Sequence, residues 1–236
     1  MKFRTICLLL FLMACASLAA APLRIFYTGD THGVYSAKEV KPDSLWQGGY
    51  LILEEHLNRL RSQSDMPSLY LDSGDQQTGT IFASLVEDGV HGGAVLQVFN
   101  RLGLDASVYG NHEFDFGQDN FHRVVGMAEF GILSANIYRA ADGQRLVNPW
   151  AVLPLPDGTQ CAIIGLTSKD TAVETLPKNV AGLRFADPIQ ECRRLLDEIV
   201  GQAEFLVALS HIGYEEDLKL AEACPELDVI IGAHSH

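Results

Sequence analysis

Short apolar runs rich in β-branched and aromatic residues punctuate the chain at Leu23–Thr28, Leu69–Asp72, Ala106–Tyr109, Ile132–Ala135, Cys161–Leu166, Phe205–Leu209 and Val229–Ile231. Runs of this kind predict buried strands. Between several of them the apolar positions recur with helical spacing. Leu53, Leu57 and Leu60 share one face, as do Val95, Phe99 and Leu102. Ile189, Cys192, Leu196 and Ile199 form a third stripe, opened by Asp187 as an N-cap and Pro188 at the first helical position. Strands alternating with helices predict an α/β fold.

Where the strands stop, the residue types change. Leu23–Thr28 runs into Gly29-Asp30-Thr31-His32-Gly33, and Leu69–Leu71 into Asp72-Ser73-Gly74-Asp75. Val108-Tyr109 is followed by Gly110-Asn111-His112-Glu113-Phe114-Asp115. Leu206–Leu209 leads to Ser210-His211-Ile212-Gly213, and Val229–Ile231 to Gly232-Ala233-His234-Ser235-His236. Open α/β sheets bind ligands beyond the carboxyl ends of their strands. Five strand ends here deliver Asp, Asn or His to that edge.

Of eight histidines, five (His32, His112, His211, His234 and His236) lie in these turns. His56, His91 and His122 lie elsewhere without acidic company and read as ordinary surface or packing residues. Asp72 reads as a turn acid capping the next helix, whereas Asp75 reads as a ligand. Carboxylate, amide oxygen and neutral imidazole together suit Mn, Fe, Co or Zn better than Ca, which prefers oxygen alone. A carboxylate shared by two such cations holds them about 3.5–4 Å apart, a spacing that clamps a phosphoryl group and activates water.

Composition narrows the setting. With 236 residues and 47% hydrophobic content, the chain is long enough for one large domain with a substantial core. Lys2 and Arg4, the apolar run Ile6–Met13 and the small residues Ala14–Ala21 have the layout of a secretory signal, read here as residues 1–19. A rival cut before Cys15, after Leu12-Met13-Ala14, would leave a lipid-anchored protein, the one route to a membrane. Both place the mature protein in the periplasm or outside the cell. Loss of the two leader cations takes the net charge from −13 to −15. So acidic a body is a poor partner for a nucleic-acid polymer. Cys161, Cys192 and Cys224 remain beyond the leader; export permits a disulfide, but their spacing argues for none. Nothing in the sequence sets the oligomeric state.

Gly29-Asp30-Thr31-His32, Asp72-Ser73-Gly74-Asp75, Gly110-Asn111-His112-Glu113, Ser210-His211 and Gly232-Ala233-His234-Ser235-His236, in this order, resemble the motifs of the calcineurin-like metallophosphoesterases. Ser134-Ala135-Asn136, Gly165-Leu166-Thr167 and Phe185-Ala186-Asp187-Pro188 resemble the 5′-nucleotidase branch. The resemblance runs from about Leu23 to the last residue. It implies a four-layer α/β/β/α sandwich, incomplete at its C-terminus, over residues 22–236, with two divalent metal ions. By motif, Asp30, His32, Asp75 and His236 would hold one ion. Asp75, Asn111, His211 and His234 would hold the other, with Asp75 bridging. His112, oriented by Asp115, would stabilise the phosphate and serve as candidate proton donor; Glu113 receives no catalytic role.

In that branch a second domain follows, which stacks the base and grips the phosphate. The sequence stops at His236, before any such domain, so the chain alone is expected to be a poor, unselective enzyme. The implied reaction is hydrolysis of nucleotide phosphate monoesters to nucleoside and phosphate, in nucleotide catabolism. A 2′,3′-cyclic nucleotide phosphodiesterase, nucleotide-sugar hydrolase or thiosulfohydrolase on the same core stays open. So does a catalytically silent metal-binding protein.

Overall fold

The computed structural model describes residues 22–40 and 45–236. The secretory signal read at residues 1–19, with Cys7 and Cys15, lies outside the described residues. No helix among the described residues is long and apolar enough to cross a membrane.

Eight strands form two four-stranded sheets. The first comprises β1 (Arg24–Thr28), β2 (Ser68–Asp72), β3 (Ala106–Val108) and β4 (Gly131–Leu133), all parallel and in chain order. The second comprises β5 (Trp150–Pro154), β6 (Gln160–Thr167), β7 (Phe205–His211) and β8 (Val229–Gly232), again in chain order. Its β5–β6 pair is antiparallel and the rest is parallel. Helices α1 (Tyr50–Ser62), α2 (Gly93–Leu102) and α3 (Gly117–Met127) serve the first half of the chain. Helices α4 (Pro188–Ile199) and α5 (Tyr214–Ala223) serve the second.

The alternation of side chains along each strand creates the layers, because successive residues face opposite sides of a sheet. Leu69 and Leu71 point into a core shared with Cys161, Ile163, Val207 and Leu209 of the second sheet. Tyr70 between them points outward, where it packs with Leu57, Val95 and Phe99 of the helices. Likewise Ala162, Ile164 and Ala208 face Cys192, Leu195, Leu196 and Leu220. Helix, sheet, sheet and helix thus stack in the four layers expected.

The three helical stripes fall within α1, α2 and α4. The Asp187 carboxylate accepts the backbone N–H of Gln190 at 2.9 Å, with Pro188 opening the helix as predicted. The strands read at Ala106–Tyr109 and Ile132–Ala135 end earlier, at Val108 and Leu133, because the next residues turn to build loops. Trp150–Pro154 is an additional strand, and Ile137–Arg139 pairs with Leu183–Phe185 in a small antiparallel ribbon. Cys161, Cys192 and Cys224 are buried and unbridged.

The two sheets approach closely where β6 passes the end of β4. A methyl group on Gly165 would lie 2.6 Å from both the carbonyl carbon and oxygen of Leu133. Backbone cannot rotate away as a side chain can. Gly165→Ala is therefore expected to destabilise the fold by at least about 1–3 kcal/mol, the usual cost of overpacking. A shift in the urea midpoint at unchanged slope is the measurement; an unshifted midpoint would mean the sheets have room to part.

Candidate metal centre

All five sequence turns converge on one edge of the sandwich, at the carboxyl ends of β1, β2, β3, β7 and β8. The turns after β1 and β2 are joined by backbone bonds: Asp30 N–H to Gly74 at 3.0 Å and His32 N–H to Asp75 at 2.9 Å. The turn after β8 joins them through His234 N–H, which donates to Asp30 Oδ2 at 2.9 Å. Space between the turns is scarce. A methyl on Gly29 would lie 2.9 Å from Ala233 Cβ, and one on Gly110 would lie 2.1 Å from Asp75 Oδ1 and 2.8 Å from His211 Nε2. Glycine at both points is what allows the approach.

Two groups of side chains that could hold an ion result. Asp30, His32 and His236 form one, Asp75, His211 and His234 the other, with candidate ligand atoms within 4.8 Å of one another in each. In the first, His32 Nε2 and His236 Nε2 are 3.3 Å apart and their rings are stacked. In the second, His211 Nε2 lies 3.1 Å from Asp75 Oδ2. Asp30 Oδ1 sits between the groups, 3.9 Å from His236 and 4.0 Å from His211. Asp75 groups with His211 and His234.

Second partners fix the histidine rings. His211 Nδ1 donates to the Ser73 carbonyl at 2.6 Å, and His32 Nδ1 to the Thr78 carbonyl at 2.9 Å. Each bond turns Nε2 toward the group as the nitrogen that would give its lone pair to an ion. His56 and His91 are occupied elsewhere, one bonded within α1 to the Ile52 carbonyl and the other stacked on Phe116.

Backbone strain and missing partners mark the same residues. Among the described residues six non-glycines have positive φ, and five are Asp30, His32, Asp75, His234 and His236. A left-handed residue with a side chain costs roughly 1–2 kcal/mol, so five in one site require strong compensation. Five buried side-chain polar atoms among the described residues lack a hydrogen-bond partner. Three of them are Asp30 Oδ1, Asn111 Oδ1 and His211 Nε2. His211 Nε2 is close to Asp75 without being aligned to bond with it, as two ligands of one ion would be. A carboxylate oxygen, an amide oxygen and an imidazole nitrogen left unsatisfied together fit a divalent transition metal.

Without an ion, a proton on the His211 imidazole balances the Asp75 carboxylate. Burial opposes charge on His211, yet the Asp75 carboxylate outweighs it and lifts the imidazole to about 9. Burial also opposes charge on Asp75, but His211 holds its carboxyl below the usual range. The His112 imidazole is partly shielded, which disfavours its charge. Its Nδ1 bond to Asp115 Oδ2 at 2.7 Å nonetheless raises its pKa, as does the Asp75 charge. The expected His112–Asp115 pair is thus formed, with the His112 ring edge-on to His32 at 5.4 Å.

Two acids depart from the sequence reading. Asp72 caps no helix: it is fully buried, accepting from the Thr28 hydroxyl, the Gln76 amide and Gly74 N–H, and burial lifts it to about 6. Glu113, given no role, is the keystone of two ligand turns. Its carboxylate accepts the backbone N–H groups of Asp75 at 2.9 Å, Gln76 at 2.7 Å and Gly110 at 2.7 Å. Burial, then the neighbouring Asp75 charge, raises it to about 7. A glutamate directly after Asn-His, at the end of a buried strand, was the available signal.

The family described as Calcineurin-like phosphoesterase matches residues 23–236. A 5′-nucleotidase from Vibrio cholerae is 30% identical over 90% of the chain and 40% of its own length. The crystal structure of a 5′-nucleotidase precursor from Thermus thermophilus superposes with a TM-score of 0.79 at 30% identity, covering 91% of this chain and 42% of that one. A Haemophilus influenzae NAD nucleotidase structure gives 0.76 at 26% identity, covering 91% and 38%. The chain spans about 40% of the length of the curated relatives it matches.

Glu113→Ala would strand three buried N–H groups, each worth about 1–3 kcal/mol when left unsatisfied. We expect a stability loss of at least about 3 kcal/mol in metal-free protein, read by chemical denaturation. A loss under 1 kcal/mol would show that water replaces the carboxylate at little cost.

Proposed function

The chain belongs to the calcineurin-like phosphoesterase family, and from that premise we propose that it is the catalytic portion of an exported two-metal nucleotide phosphohydrolase of the 5′-nucleotidase type. One observation carries this reading. Two candidate ligand groups, with buried oxygen and nitrogen atoms left unpartnered, stand side by side at one sandwich edge, with an imidazole–carboxylate pair beside them. The relatives named above support a nucleotide as the substrate class. The leader read at residues 1–19 supports export.

Asp30, His32 and His236 would hold one cation, and Asn111, His211 and His234 the other, with Asp75 shared. Bound there, a divalent pair supplies Lewis-acid polarisation of a phosphoryl oxygen and lowers the pKa of water. The remaining roles fall to the chain. Asp115 fixes the His112 tautomer by taking its Nδ1 proton in a hydrogen bond, so that Nε2 is left to face the substrate. Asp115 and Asp75 favour the protonated ring. His112 can therefore donate a hydrogen bond to charge developing on phosphate, or a proton to the leaving alkoxide. Glu113 keeps Asp75 and Gly110 in register while this happens.

Two measurements test the reading. Mass-spectrometric metal analysis after dialysis should find two transition-metal ions per chain, Asp75→Asn weakening both and His32→Ala mainly one. One ion or none in folded protein would overturn the two-site assignment. Phosphate release should then be assayed with Mn, Co or Zn against 5′-AMP, a 2′,3′-cyclic nucleotide, a nucleotide sugar and an aryl phosphate. His112→Asn should keep both ions and lower turnover by ~10²–10⁴-fold. No hydrolysis of any ester by the two-ion chain would refute a phosphohydrolase.

A further inference from the structure

Three motifs remain without a part in the site: Ser134-Ala135-Asn136, Gly165-Leu166-Thr167 and Phe185-Ala186-Asp187-Pro188. The structure ties them into one buried knot. Asn136 Oδ1 accepts Thr167 N–H at 2.9 Å, and its Nδ2 donates to the carbonyls of Thr167 at 2.7 Å and Ala186 at 3.0 Å. The Asn136 carbonyl accepts Ala186 N–H at 2.8 Å, and the Ser134 and Thr167 hydroxyls meet at 2.9 Å. Ser134, Asn136 and Thr167 are fully buried. A satisfied polar network in a core fixes geometry. Here it clamps both ends of the excursion from Ser168 to Phe185.

That excursion reaches the site at three residues, Glu174, Thr175 and Asn179. Thr175 Oγ1 donates to Asp115 Oδ1 at 3.0 Å, and Asn179 Nδ2 donates to the Asp115 carbonyl at 2.8 Å. Asp115 Oδ2 is the oxygen that accepts from His112. One step back in the chain, Glu174 Oε1 lies 3.3 Å from His234 Nε2. Adjacent residues thus touch the imidazole–carboxylate pair on one side and a ligand histidine on the other.

We infer that Thr175 and Glu174 are positioning residues, Thr175 for His112 through Asp115 and Glu174 for His234, carried to the site by the Ser134–Asn136–Thr167–Ala186 knot. The inference rests on the functional reading given above. A carboxylate held at one oxygen can pivot, and Thr175 pins the second. Losing that pin lets the His112 ring wander, and misplacement of about 1 Å costs on the order of 10²-fold in rate. Glu174 lies against His234 Nε2, which would leave Nδ1 for the cation. Outer partners of ligating histidines typically contribute 10–100-fold to metal affinity.

The test uses Thr175→Val, which keeps shape without the hydroxyl, Thr175→Ser, which restores the hydroxyl, and Glu174→Ala with Glu174→Gln. Each protein is stripped with chelator, titrated with Mn or Co by calorimetry, and assayed on whichever ester the parent chain hydrolyses. Thr175→Val should bind both ions normally and keep KM, with kcat reduced roughly 10–100-fold; Thr175→Ser should recover most of it. Long-range ¹H–¹⁵N spectra, at a pH where His112 is neutral, should show the Nδ1–H tautomer in the parent and Ser proteins and a mixture in the Val protein. Glu174→Ala should weaken one of the two ions roughly 10–100-fold, with Gln intermediate. Unchanged kcat and tautomer in Thr175→Val would overturn the Thr175 role. Unchanged or tighter ion binding in Glu174→Ala would overturn the Glu174 role. If the parent protein binds two ions yet hydrolyses no ester, the phosphohydrolase reading fails while the calorimetric and spectroscopic arms still decide this one.

Discussion

Two sheets stacked face to face need not end at the same height, and nothing in hydrophobic packing makes them do so. Here they are pinned level by polar contacts across the gap. His211, at the end of β7, donates to the Ser73 carbonyl just beyond β2, and the Ser73 hydroxyl donates to the Ile231 carbonyl within β8. The contacts are buried, so slippage would leave polar groups stranded in the core at a cost of kilocalories each. Every other feature of the site presupposes this alignment. Only with the sheet ends level can Asp30 and His32 from one sheet meet His234 and His236 from the other.

Within that frame the ligands are held by the main chain more than by their own side chains. Asp75 is left-handed, yet its N–H is claimed by Glu113 and its carbonyl by His32 N–H. Asp30 is similarly bracketed by Gly74 on its amide and His234 on its carboxylate. Strain at these candidate ligands is offset by bonds between turns, so the turns support one another. This is how a set of short loops becomes rigid enough to preorganise a site.

Much of this was legible in the sequence, and for a physical reason. Buried parallel strands must be almost wholly apolar, so runs such as Leu69–Leu71 and Phe205–Leu209 stand out, and so do the polar residues that follow them. Asp187 and Pro188 announced α4 because capping chemistry is local. What escaped was either mixed in character or distant in sequence. Trp150–Pro154 is an edge strand of the second sheet, only partly buried and ending in proline, and lacks a clear apolar signal. Glu113 is an ordinary acid until the fold surrounds it with three amides. Thr175 lies 60 residues from Asp115 and is nowhere near it in any local pattern.

The ring of His32 stacks on that of His236, 204 residues later. The chain is synthesised from its N-terminus, so Asp30, His32, Asp75 and Asn111 emerge well before their counterparts exist. An ion arriving early would find half a shell and hold loosely. A cation held as proposed would therefore report that the second sheet has docked, its binding free energy accruing only to chains whose two halves have met.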